Sequence, residues 1–161
     1  MAIDDNLIGD EGVQYLATAL QKNTVRLDTS LYCFHVHLFI QTLEELRLSN
    51  NQIQHKGAVH SAIMLQENKV RLNHSLHSLH CDLFIQTLTK LDLSNNHIGD
   101  QGGQYLSVAV LKNTVRPSYS FHYFPLHIFL QTLMVLDLSR NQIEKKGAIC
   151  LLGATIMNKV R

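Results

Sequence analysis

The sequence predicts an α/β repeat solenoid: parallel strands on a concave face, helices on a convex face, and three 17-residue insertions. Three observations carry this expectation. Asn-Lys-Val-Arg or Asn-Thr-Val-Arg recurs with its valine at 25, 70, 115 and 160, always 45 residues apart. The strings LEELRLSNNQI (43–53), LTKLDLSNNHI (88–98) and LMVLDLSRNQI (133–143) keep that register and share the pattern LxxLxLxxNxI. A stretch with apolar residues at helical spacing follows each string. A fixed period of this size marks supersecondary units that stack, because one unit cannot bury its own apolar face.

The elements follow in order. Leu-x-Leu alternates with period two, so one face of a short strand points inward. The preceding leucines and the following isoleucine turn into the same core. MAIDDNLI fits the frame, with Met1 and Ile3 at the positions of Leu46 and Leu48. Asn6, Asn51, Asn96 and Asn141 stand where the chain leaves the strand. Their side-chain amides can satisfy backbone groups the turn leaves unpaired, so stacking predicts a structural asparagine ladder. Gly12, Gly57, Gly102 and Gly147 then open segments of about ten residues with helical spacing. In the first, Val13, Leu16, Ala17 and Leu20 share one face.

These residues resemble the leucine-rich repeat of the ribonuclease-inhibitor type, found also in NOD-like receptors and Ran GTPase activators. The resemblance implies one domain over 1–161, with repeats at about 1–24, 42–69, 87–114 and 132–159. Two positions depart from the pattern. Ser61 replaces the leucine seen at Leu16, Leu106 and Leu151, and Thr155 replaces the apolar residue at Leu20, Leu65 and Val110. A buried hydroxyl in either place costs on the order of 2–5 kcal/mol if a cavity remains, so repeats two and four are expected to be the softer ones.

The family's period is 28 or 29 residues, and the excess lies in 25–41, 70–86 and 115–131. Each tract begins Val-Arg and ends Phe-Ile-Gln or Phe-Leu-Gln. Together they hold 9 of the 11 aromatic residues and none of the 8 glycines, a composition foreign to the rest. Removing them restores a 28-residue period. Val-Arg codons can contain a splice-donor sequence, Gln can be CAG, and pyrimidine-rich codons yield the Phe, Leu, Ser, His and Tyr of the middles. Seventeen codons also preserve the reading frame. One reading is therefore that the tracts are translated introns. The other is a genuine 45-residue repeat with a functional loop, since surface loops lengthen at modest entropic cost. Either strand or short helix is possible within them.

Candidate chemistry is thin. With 14 basic and 13 acidic residues the net charge is +1, which supplies no basic stripe for nucleic acid and no attraction to acidic lipid. The acidic N-terminus lacks a signal-peptide apolar core, and no apolar run reaches the ~20 residues a bilayer demands. Three cysteines are too few and odd in number for a disulfide framework. A cytoplasmic location is expected. His74, His77, His80 and Cys81, with Cys33, His35 and His37, have metal-ligand spacing. The third tract holds only His122 and His127, so the set does not recur across repeats, and no metal is expected. Cys150 reads as a small buried hydrophobe. Asn73-His74-Ser75 is a chance sequon without a secretory signal. No phosphate-binding loop, HExxH or GxSxG occurs, so neither cofactor nor catalytic residue is expected. Asp92 and Asp137 share one strand position, as solvated charges rather than a catalytic pair.

Function is expected on the concave face, at Glu45, Arg47, Ser49, Lys90, Asp92, Ser94, Val135, Asp137 and Arg140. Adjacent charges of opposite sign suit a polar protein partner rather than nucleic acid, membrane or a small-molecule substrate. The expectation is a non-catalytic protein-interaction scaffold, a fragment of a larger NOD-like-receptor-type array, since Met1 falls inside a strand. The alternatives are a fragment of a Ran-type GTPase activator, or a mis-spliced product with no independent function.

Overall fold

The computed structural model describes residues 1–22, 26–27, 36–41, 43–67, 71–72, 81–86, 88–113, 127–131 and 133–159. Four helices and eight strands alternate along these residues. They are α1 (Gly9–Lys22), β1 (Arg26–Leu27), β2 (Val36–Gln41), β3 (Glu45–Arg47), α2 (His55–Glu67), β4 (Arg71–Leu72), β5 (Cys81–Gln86), β6 (Lys90–Asp92), α3 (Gly99–Lys112), β7 (His127–Gln131), β8 (Val135–Asp137) and α4 (Lys145–Lys159). The helices pack in chain order, α1 on α2, α2 on α3 and α3 on α4.

The Leu-x-Leu segments form a parallel sheet of order β3-β6-β8. Leu46 pairs with Leu91 and Leu91 with Leu136, so equivalent residues stand side by side at the 45-residue interval. A bridge from Ala2 to Arg47 adds the first coil in the same register. There the Ile3 amide donates to the Arg47 carbonyl at 3.1 Å and the Arg47 amide to the Met1 carbonyl at 2.9 Å. The inward residues Leu46, Leu48, Leu91 and Leu93 are fully buried, as are Ile53 and Ile98 after the turn. Met64, Leu65 and Leu106 close the core from the helix side. Burying each of these side chains contributes roughly 1.5–3 kcal/mol.

Val13 and Ala17 of α1 are buried, and Leu16 and Leu20 pack against the core. The helices are longer than the ten-residue expectation and begin earlier relative to the glycine, which lies inside the first turn rather than opening the helix. Its role is close approach. A Cβ at Gly57 would stand 2.5 Å from both the Ile53 Cγ2 and the Asp10 Oδ1, so only glycine lets the turn isoleucine and the neighbouring coil meet there.

Asparagine side chains tie the turns together. The Asn96 Oδ1 accepts the Asn51 and Ile53 amides at 2.9 and 3.0 Å, while its Nδ2 donates to the Leu48 and Leu93 carbonyls at 3.0 and 2.9 Å. Asn51 joins the first coil likewise, accepting the Asn6 amide at 3.2 Å and donating to the Ile3 carbonyl at 2.9 Å. Asn141 accepts the Ile98 amide at 3.3 Å and donates to the Leu93 carbonyl at 2.8 Å. Asn6 differs: it is exposed, and its Nδ2 reaches only the carbonyls of Ile3 and Asp4 in its own coil.

The coils alternate between two turn geometries. All four enter the turn through a left-handed residue, Asp5, Asn50, Asn95 or Arg140. Coils one and three then have a second left-handed residue at Gly9 and Gly99, whereas coils two and four have it at Gln52 and Gln142. The helix starts alternate too. Asp10 accepts the Gln54 amide at 2.7 Å, and Asp100 accepts the Glu144 and Gly147 amides at 2.7 and 3.0 Å. Each carboxylate caps the next coil's helix, satisfying amides that have no intrahelical partner. Coils two and four carry His55 and Lys145 instead.

Three expectations are modified. Cys150 is exposed, not buried, and so is Thr155, whose hydroxyl donates back to the Leu151 and Leu152 carbonyls at 3.2 and 2.9 Å. Both lie on α4, where no further described coil covers the outer side. Ser61 is wholly buried and its Oγ has no hydrogen-bond partner among the described residues. The tracts, left open between strand and helix, contain strands. Their ends form a second parallel sheet of order β2-β5-β7, with Leu38, Leu83 and Ile128 in register, and β1 pairs with β4.

Candidate interaction face

The outward residues of β3, β6 and β8 line up in rows across the sheet. Glu45, Lys90 and Val135 form one row, and Arg47, Asp92 and Asp137 the next. The inward leucine between them anchors each pair, so alternation along a three-residue strand is what turns these side chains outward. Glu45, Arg47, Lys90, Val135 and Asp137 are exposed, and Asp92 is partly so. Opposite charges meet in register twice, Glu45 beside Lys90 and Arg47 beside Asp92.

Asp92 and Asp137 are also register neighbours. Each uses one carboxylate oxygen locally: Asp92 Oδ1 accepts the Ser94 amide and Asp137 Oδ1 the Ser139 amide, both at 2.9 Å. These bonds hold the carboxylates against the backbone as the strand turns. Ser49 and Ser94 follow in the third row and are partly buried. Arg140 lies beyond the strand, exposed on the left-handed turn position. Its column runs through Asp5, Asn50 and Asn95, where Asn50 Nδ2 donates to Asp5 Oδ1 at 2.6 Å and Asn95 Nδ2 to Asn50 Oδ1 at 3.0 Å.

Two residues that sequence reasoning passed over complete the picture. Asp4 binds Arg47 across the first coil boundary, Oδ2 to guanidinium at 2.9 Å, and its Oδ1 accepts both the Ser49 amide and hydroxyl. The 45-residue frame places Asp4 at the Ser49 position, so the signal was present. Asn113 is the other. It is buried, donates from Nδ2 to the Leu65 carbonyl at 2.8 Å and accepts the Leu133 amide on Oδ1 at 3.0 Å. The same frame gives Asn23, Asn68 and Asn158. One asparagine thus joins the ends of two helices to the entry of the next coil.

No group of three or more His, Cys, Asp or Glu stands ready to hold a metal ion among the described residues. His74, His77, His80, Cys33 and His35 lie outside them, as do the side chains of His37, Cys81 and His127. No described helix is long and apolar enough to cross a membrane. What remains is a largely polar surface: a three-stranded sheet, extended by Asp4, with paired charges and backbone-tethered carboxylates.

The leucine-rich repeat family model matches three stretches, 40–59, 85–107 and 129–152. No curated protein matches the chain. The matched stretches coincide with β3, β6 and β8 and the turns and helix starts that follow them. The family model thus matches the strand, turn and helix start of three of the four coils.

Proposed function

We propose that the chain is a non-catalytic protein-interaction scaffold: a short leucine-rich-repeat solenoid of the ribonuclease-inhibitor type, acting in the cytoplasm as NOD-like-receptor arrays do. Its binding surface is the concave face made by Glu45, Arg47, Ser49, Lys90, Asp92, Ser94, Val135, Asp137 and Arg140, with Asp4 added. One observation supports this above the others. Opposite charges recur in register on β3 and β6, whose inward leucines are fully buried, so the face is preorganised and polar at once. Complementary charge then steers and selects a partner, and little ordering entropy is lost on binding.

Substitution of the face tests the proposal. Arg47→Ala with Asp92→Asn removes the central opposite-sign pair and keeps the Ser94 tether as an acceptor. The partly exposed Arg47–Asp4 ion pair is worth about 0–1 kcal/mol, so the fold survives its loss. Immobilised wild-type chain is expected to retain a protein from cell extract that the double variant does not. Retention of an identical set by both, with unchanged circular dichroism, contradicts the proposal.

A further inference from the structure

A different surface carries a second reading, independent of the concave face. Among the described residues the stack has two uncovered sides, and their burial patterns are complementary. On the helices, one column faces the next coil. Its members are buried in coil two at Ala58, Ala62 and Leu65, and exposed in coil four at Ala148, Leu152 and Thr155. The opposing column faces the preceding coil. It is buried in coil three at Gly102, Leu106 and Ala109, but open or half-open in coil one at Gly12, Leu16 and Ala19.

The polar groups match as well. At each joint an asparagine Oδ1 accepts amides of the coil before it: Asn51 takes those of Asn6 and Ile8, Asn96 those of Asn51 and Ile53, and Asn141 that of Ile98. Among the described residues the Asn6 Oδ1 has no donor, and the Asn141 and Ile143 amides have no acceptor. The Leu48 amide donates to the Asp92 carbonyl, whereas the equivalent Leu138 amide has no described partner. Amides and an acceptor without described partners therefore stand on opposite ends at equivalent positions.

The phase is also correct. Coil four has the Gln142 turn of coil two, and coil one has the Gly9 turn of coil three. A joint from coil four to coil one thus repeats the existing joint from coil two to coil three and continues the alternation. Both three-stranded sheets end on the same sides, β3 and β2 at one end, β8 and β7 at the other.

We propose that a second copy of this chain docks head to tail, its first coil covering the fourth coil of its neighbour. The Asn6 side chain accepts the neighbour's Asn141 and Ile143 amides, and Leu152 packs over Leu16 and Ala19. The contact is heterologous, so it propagates into an open row of copies or closes into a ring.

Sedimentation equilibrium of the 161-residue chain over an about hundredfold concentration range tests this. The expected result is a weight-average mass that at least doubles from the monomer value. Leu152→Arg blocks one end and Ala19→Arg the other; both residues are exposed, so both variants fold, as circular dichroism will check. Each variant alone is expected to remain monomeric, and an equimolar mixture to form a one-to-one dimer, because each supplies the end the other lacks. A wild-type monomer at every concentration overturns the proposal and assigns these ends to another occupant. So does association that survives both substitutions, which places the contact elsewhere. Loss with Leu152→Arg but full dimerisation of Ala19→Arg also overturns it, since that is a symmetric contact between fourth coils.

Discussion

Replacing Asn96 by alanine tests the ladder at its buried middle joint. The Asn96 side chain is 1% exposed and bonded at both ends. Its Oδ1 accepts the buried Asn51 and Ile53 amides, and its Nδ2 donates to the Leu48, Leu93 and Ser94 carbonyls. Alanine leaves two buried amides without an acceptor, at about 1–3 kcal/mol each. The carbonyls lose one partner but keep a second lone pair, and water entering the vacated space offsets part of the loss. The expected total is about 3–5 kcal/mol, a large share of the 5–15 kcal/mol typical of a domain. Asn6→Ala is the control. Its Oδ1 has no described donor and its amide bonds are exposed, so its cost is expected below about 1 kcal/mol. Urea unfolding followed by far-ultraviolet circular dichroism reads the difference as a shift in midpoint at constant m. Equal midpoint shifts for the two variants would refute the claim that the buried asparagines hold adjacent coils together.

Other outcomes follow from single groups. Ser61→Ala is expected to stabilise the chain by about 1–2 kcal/mol in the same assay, because it removes a buried hydroxyl with no described partner at almost unchanged volume. Ser107→Ala, which loses a hydroxyl donating to the Gln104 carbonyl at 2.7 Å, should show no such gain. Asp100→Ala removes the cap from α4 and is expected to cost about 1 kcal/mol. Hydrogen exchange should quicken at Glu144 and Gly147, and unchanged exchange at both would contradict the capping role.

The strand-turn-helix order was legible because its signals are periodic. A leucine every second residue and an asparagine every 45 define strand face, turn and register without reference to any distant part of the chain. Leu46, Leu91 and Ile98 are core residues for that reason. The alternation of turns was also written in the sequence, in Gly9 and Gly99 against Gln54 and Glu144 at the equivalent positions, but a shared consensus hides what differs between its members. Cys150 and Thr155 were not legible. Periodicity assigns a residue to a helix face, whereas burial depends on whether another coil covers that face. The tracts were illegible for a related reason: short apolar runs suit strand and helix alike, and only pairing across 45 residues selects the strand.

The central claim is that each coil is held by its neighbours and that the tracts are dispensable. In the third joint the Asn113 side chain accepts the Leu133 amide, so the end of coil three and the start of coil four meet at one point. The most direct measurement is hydrogen exchange on the chain with 25–41, 70–86 and 115–131 removed together. The account predicts that the Asn51, Ile53 and Ile98 amides, all bonded to ladder asparagines, stay as protected as in the full chain. Loss of protection at these three amides would show that the tracts hold the coils together, and would contradict it.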